Sequence, residues 1–167
     1  RGGPSGPPGS APSVNALVAL DWNHDFRADI AVAGSGGMRL LLQDEKGGFT
    51  DATVKASGTS PVSNDLFGLW AADIEMDGDI DIIAAPVDGL PFVLRNNGDS
   101  TWRRVEPFTG VAAVRGFEWA DLDQDADPDA AFLDRDGRLH VFLNRQAGQF
   151  ARAPDPEGVA TIVGFTI

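Results

Sequence analysis

Thirteen of the chain's 25 acidic residues stand in three nine-residue stretches. The first holds Asp21, Asn23, Asp25 and Asp29, with Arg27 in seventh place. The second holds Asp73, Glu75, Asp77, Asp79 and Asp81, and the third Asp121, Asp123, Asp125, Asp127 and Asp129. Carboxylates so crowded repel one another and raise each other's pKa unless positive charge sits among them. A hard divalent cation supplies it, and calcium accepts roughly six to eight oxygens in a tolerant geometry. Oxygens at places one, three and five converge if the backbone wraps around an ion. A carbonyl at place seven and a carboxylate at place nine complete the shell, so Arg27 at place seven is no obstacle. Magnesium demands a stricter octahedron and retained waters, and fits less well. The pattern predicts up to three calcium sites, the second loop strongest with five acids and the first weakest with three and an asparagine.

Other chemistries find little support. The chain has no cysteine, and its two histidines, His24 and His140, lie far apart, which leaves no zinc ligand set. There is no G-x-S-x-G elbow, no H-E-x-x-H, no P-loop and no thiol nucleophile. Paired carboxylates could serve a glycosidase, but cation loops account for them better. The expectation is a protein that is not an enzyme. A net charge of −12 argues against nucleic acid and against simple attachment to anionic lipid. No apolar run is long enough to span a membrane. The chain begins at Arg1 with no visible signal peptide, which leaves its compartment open.

Something must hold these loops in place, and the sequence repeats around them. The leading aspartates Asp21, Asp73 and Asp121 are 52 and 48 residues apart. An aromatic ring follows each by 28 or 29 residues, at Phe49, Trp102 and Phe150. Between these landmarks lie short apolar runs bounded by turn residues, which read as strands. In the third repeat Gly116–Ala120 enters the loop and Ala130–Leu133 leaves it. Asp136-Gly137 then turns into Arg138–Leu143, and Gln146–Gly148 into Gln149–Arg152. No 3.6-residue apolar period is sustained, so little or no helix is expected.

Four-stranded antiparallel units recurring at this spacing are the signature of β-propeller blades; a sandwich has no reason to repeat its loops in register. The predicted fold is therefore all-β: a partial propeller of three four-stranded blades plus the first strand of a fourth. Residues 1–13 are almost wholly Gly, Pro, Ser and Ala and read as a flexible linker. Residues 14–167 form the propeller segment, with blades at about 14–60, 61–110 and 111–158 and the start of a fourth at 159–167. That last assignment rests on Gly164-Phe165, which follows Gly116-Phe117 by 48 residues. Three blades do not close a ring, so further blades or a partner should cover the exposed ends. His24 reads as a surface histidine at a strand end. Trp22, Trp70, Trp102 and Trp119 read as core or inter-blade packing.

The arrangement resembles the FG-GAP/VCBS repeat family, whose blades carry a D-x-D-x-D-G-x-x-D calcium loop followed by an apolar strand. Asp73 to Asp81 matches with Glu75 in place of the second aspartate. Asp121 to Asp129 matches with Ala126 for the glycine, and Asp21 to Asp29 departs at Asn23 and Phe26. The family's later L-x-N-x-x-G-x-F element is echoed by Leu94 to Trp102 and by Leu143 to Phe150. The resemblance covers residues 14–167. It implies a calcium-binding propeller module that acts as a scaffold, an adhesion module or an accessory subunit, with a protein or glycan partner. The alternative expectation is the propeller part of a secreted enzyme, such as a polysaccharide lyase, with catalytic residues elsewhere. Loops of moderate calcium affinity suit millimolar calcium, so a periplasmic or extracellular place is expected.

Overall fold

The computed structural model describes residues 15–58 and 62–156. Within them the chain forms three four-stranded antiparallel sheets, each a simple meander. The first sheet comprises β1 (Leu17–Leu20), β2 (Asp29–Gly34), β3 (Gly37–Gln43) and β4 (Phe49–Asp51). The second comprises β5 (Leu66–Ala72), β6 (Asp81–Pro86), β7 (Phe92–Asn96) and β8 (Trp102–Val105). The third comprises β9 (Val114–Ala120), β10 (Asp129–Asp134), β11 (Leu139–Asn144) and β12 (Phe150–Arg152). This is the architecture of partial propeller blades, and the expected strands agree with it to within two residues in the third sheet. The expected linker and fourth-blade strand lie outside the described residues.

Among the described residues there is one short helix, α1 (Thr53–Ser57), a single turn after the first sheet. No side chain caps it. It is held by tertiary contact instead: Ala56 is buried, and the Leu40 N–H donates to Thr53 Oγ1 at 2.9 Å. Short helices depend on such packing, because their own hydrogen bonds barely offset nucleation.

Alternation along the strands explains how the blades stack. In β2, Asp29, Ala31 and Ala33 are buried while Ile30 and Val32 are partly exposed, the period-two pattern of a sheet covered on one face. In β6 every residue from Asp81 to Pro86 is buried, because this sheet lies between the other two. The face of β6 bearing Ile82 and Ala84 joins one apolar cluster with Leu20, Trp22, Ala31 and Leu40. The opposite face, with Ile83 and Ala85, joins a second cluster with Phe117, Phe132 and Phe142.

Aromatic rings close both junctions. Trp22 and Trp102 meet edge-on at 5.9 Å between the first two sheets. Phe108, from the segment joining the second and third sheets, lies 4.7 Å from Phe132, 5.3 Å from Phe142 and 4.8 Å from Phe150. Each fully buried ring of this kind contributes about 2–3 kcal/mol of transfer free energy. Trp70 and Trp119 are only partly buried and pack against Phe117 at 5.9 and 6.3 Å. One turn has a strict steric demand: a Cβ on Gly37 (φ +118°) would stand 1.8 Å from the Val62 carbonyl oxygen. Only glycine fits there.

Candidate metal centre

Each acidic stretch links the first strand of a sheet to the second, and its leading aspartate organises the turn. Asp21 accepts the backbone N–H groups of Asp25 and Phe26 at 3.0 and 2.9 Å. Asp73 does the same for Asp77 and Gly78 at 3.1 and 2.9 Å, and Asp121 for Asp125 and Ala126 at 3.1 Å each. The fifth residue then accepts the N–H of the seventh at 3.0 Å in every loop: Asp25 from Arg27, Asp77 from Asp79, Asp125 from Asp127. These bonds force the chain into a coil whose fourth and sixth residues take positive φ. At the sixth place the angles are 65° for Phe26, 92° for Gly78 and 76° for Ala126. All three loops therefore make the same turn, and the two without glycine do so at a cost of about 1–2 kcal/mol each.

The ninth residues have a second role that sequence reasoning missed. Asp29, Asp81 and Asp129 are all but fully buried. Each carboxylate bridges two backbone N–H groups, one at the loop's second residue and one at the end of the third strand. Asp29 takes Trp22 at 3.0 Å and Gln43 at 2.8 Å. Asp81 takes Ile74 at 3.1 Å and Asn96 at 2.8 Å, and Asp129 takes Leu122 and Asn144, both at 2.8 Å. Asn96 and Asn144 extend the clamp by accepting the N–H of Gly98 and Gly148 at 3.1 and 3.2 Å. The asparagine of the L-x-N element was the available signal for them.

The third place carries the observation that tests a cation. Asn23 Oδ1 and Glu75 Oε2 are buried with no hydrogen-bond partner. Buried oxygens are normally satisfied, so two orphans at equivalent positions call for a positive partner. In the third loop, oxygens of Asp121, Asp123 and Asp129 lie within 4.8 Å of one another. The electrostatics agree. Burial pushes Asp81 up to about 8, against its two N–H donors and with help from the Glu75 carboxylate. Burial also raises Glu75, opposed chiefly by Arg95. Desolvation and the neighbouring Asp125 and Asp129 raise Asp123, and burial raises Asp29. These groups are costly to ionise as they stand, and a cation among them would lower that cost. The donor set, all oxygen, fits a hard divalent ion.

Arginines differentiate the loops. Arg27 Nη2 lies 2.6 Å from Asp25 Oδ2. Desolvation would raise Asp25, but the Asn23 amide, the Arg27 N–H and then that guanidinium outweigh it and hold Asp25 below the usual carboxylate range. Arg95 approaches Glu75 at 2.7 Å and Asp77 at 3.5 Å. Arg145 is more than half exposed and reaches Asp123 only at 3.5 Å. The third loop is thus the least neutralised from within. His24 reaches across the blade junction, its Nε2 2.6 Å from Asp79 Oδ1.

The model of the FG-GAP-like repeat matches residues 21–84 and again 73–132, more than half of the chain. The chain belongs to the FG-GAP-like repeat family. Each matched FG-GAP-like segment opens on a leading aspartate, Asp21 or Asp73, and runs into the second strand of the following blade. No match was found among curated proteins.

Proposed function

We propose that this chain is a non-catalytic, calcium-binding propeller module that serves as a scaffold for a protein partner. The observation that carries the reading is the pair of orphaned buried oxygens, Asn23 Oδ1 and Glu75 Oε2, at the third place of two loops built alike. Asp21, Asn23, Asp25 and Asp29 would hold the first ion, and Asp73, Glu75, Asp77, Asp79 and Asp81 the second. Asp121, Asp123, Asp125, Asp127 and Asp129 would hold the third. Calcium supplies charge neutralisation that the chain's own arginines provide only in part.

The non-catalytic reading rests on how the reactive groups are occupied. The acids at the first, fifth and ninth places are engaged in loop turns and strand clamps. His140 is 7% exposed, with Nε2 bonded to Asp134 at 2.9 Å and Nδ1 facing Arg152 at 2.9 Å. Neither ring nitrogen is free to act as a base. Moderate-affinity loops are filled where free calcium is millimolar, which supports a place in the periplasm or at the cell surface.

The test is calorimetric titration with calcium and with magnesium, paired with thermal unfolding in calcium and in chelator. Calcium at a hundredfold excess over Kd should add about 2.7 kcal/mol per filled site. No heat and an unchanged midpoint would overturn the reading.

A further inference from the structure

The first and second loops are joined across the blade junction by a continuous run of hydrogen bonds that begins and ends on a ninth-place carboxylate. Asp29 Oδ2 accepts the Trp22 N–H at 3.0 Å. The Trp22 carbonyl, on the other side of the same residue, accepts Asn96 Nδ2 at 3.1 Å. The Asn96 N–H in turn donates to Asp81 Oδ1 at 2.8 Å. Asp29, Trp22, Asn96 and Asp81 are each at most 1% exposed, so a displaced member would leave a buried polar group without a partner. The Trp22 ring fixes the run in place: its Nε1 donates to the Ser100 carbonyl at 3.3 Å, and it meets Trp102 edge-on at 5.9 Å. A second contact crosses the same junction nearer the surface, where His24 Nε2 lies 2.6 Å from Asp79 Oδ1.

The junction between the second and third loops is built differently. Ile74 stands there in the place of Trp22, and Asn144 in the place of Asn96. The Asn144 amide turns back into its own blade and donates to the Pro128 carbonyl at 3.3 Å. The fourth place, His24 in the first loop, is Met76 in the second, which has no polar hydrogen to offer across the junction. What meets the second loop is the turn at Gly148, where an added Cβ would stand 3.4 Å from the Ile74 carbonyl oxygen, a packing contact.

We propose, on the reading that the loops bind calcium, that the first two fill as a coupled pair and that the third fills independently of both. On that reading Asp29 and Asp81 are each a ninth-place ligand and one end of the run. A loop whose carboxylates are gathered holds its ninth-place oxygen still, and with it Trp22 or Asn96. The neighbouring loop then starts with its own clamp ordered and gives up less conformational freedom on filling. Such coupling is reciprocal, so each of the two loops strengthens the other by the same factor. Couplings between sites run from roughly five- to 150-fold, and one buried run with one surface contact is expected to give about tenfold.

The test is calcium titration of the 167-residue chain followed by amide NMR, with the Phe26, Gly78 and Ala126 signals reporting the three loops separately. Asn23→Ala, Glu75→Ala and Asp123→Ala each weaken one loop at its third place, away from the backbone bonds that make the turn. Asn23→Ala should weaken calcium at the second loop about tenfold, and Glu75→Ala should weaken it at the first by the same factor. Asp123→Ala should leave both within about twofold. His24→Met gives the first junction the residue of the second; its side chain is 45% exposed, and Met76 already takes the same φ of 58°, so folding should survive. It should cut the mutual factor to about threefold and leave the third loop unchanged. Calcium at all three loops with no cross-effect overturns the coupling and leaves the calcium reading standing, whereas no shift at any loop overturns both. A cross-effect from Asp123→Ala as large as the other two, or a factor indifferent to His24→Met, also overturns the coupling.

Discussion

Replacing Asp129 by Asn separates the two jobs of a ninth-place carboxylate. Asp129 is fully buried and receives the Leu122 and Asn144 N–H groups at 2.8 Å, one on each oxygen. Asparagine offers one acceptor, so its amide group must face a second donor and leave a buried N–H unsatisfied. That costs about 1–3 kcal/mol. The surviving bond changes from charge-assisted to neutral, a further loss of about 1 kcal/mol. Relief from burying a charge returns part of this, leaving a net destabilisation of about 2–3 kcal/mol. At this chain length that is a fall in Tm of roughly 4–12 °C. The assay is urea unfolding in chelator, where calcium contributes nothing. Asp127→Asn is the control: its loop bond runs through its backbone N–H to Asp125, so a change below about 0.5 kcal/mol is expected. If Asp129→Asn is neutral in chelator and destabilising only in calcium, the carboxylate is a ligand alone and the clamp argument fails.

Ala126→Gly should stabilise the chain by about 1 kcal/mol, since relief of the positive φ of 76° exceeds glycine's extra unfolded-state entropy; a loss in urea unfolding would contradict this. Arg95→Gln should raise calcium affinity at the second loop by up to roughly tenfold, because Arg95 competes for Glu75 and Asp77, and calorimetry showing weaker binding would refute the competition. Burial alone would raise Asp134, but its bonds from His140 and from the Arg138 and Asp136 N–H groups together hold it below the ordinary value. Its stabilisation is therefore present above the unfolded-state pKa and lost as pH falls through the depressed one. Asp134→Asn should flatten the acid side of the stability curve, and a profile as steep as that of the parent would exclude Asp134 as its source.

The repeat, the strand class and the loops were legible in the order of residues alone. Asp21, Asp73 and Asp121 announce themselves by spacing, and short apolar runs between turn residues admit little besides strands. These are local signals, readable because backbone geometry ties them to periods of two and to turn chemistry. What the loops' other neighbours do was not local. Asp129 meets Asn144, 15 residues on, only because β10 and β11 pair. Arg95 reaches Glu75 from a strand two places along the sheet, while Arg27 meets Asp25 within its own loop. Their numbers in the chain give no hint that one loop is neutralised from a distance. The apolar residues divide in the same way. Leu17 and Leu69 stand four residues before their aspartates and look alike in sequence, yet one is 56% exposed and the other 2%. Burial is decided by whether a second sheet lies across the face, and that depends on the order in which the blades pack.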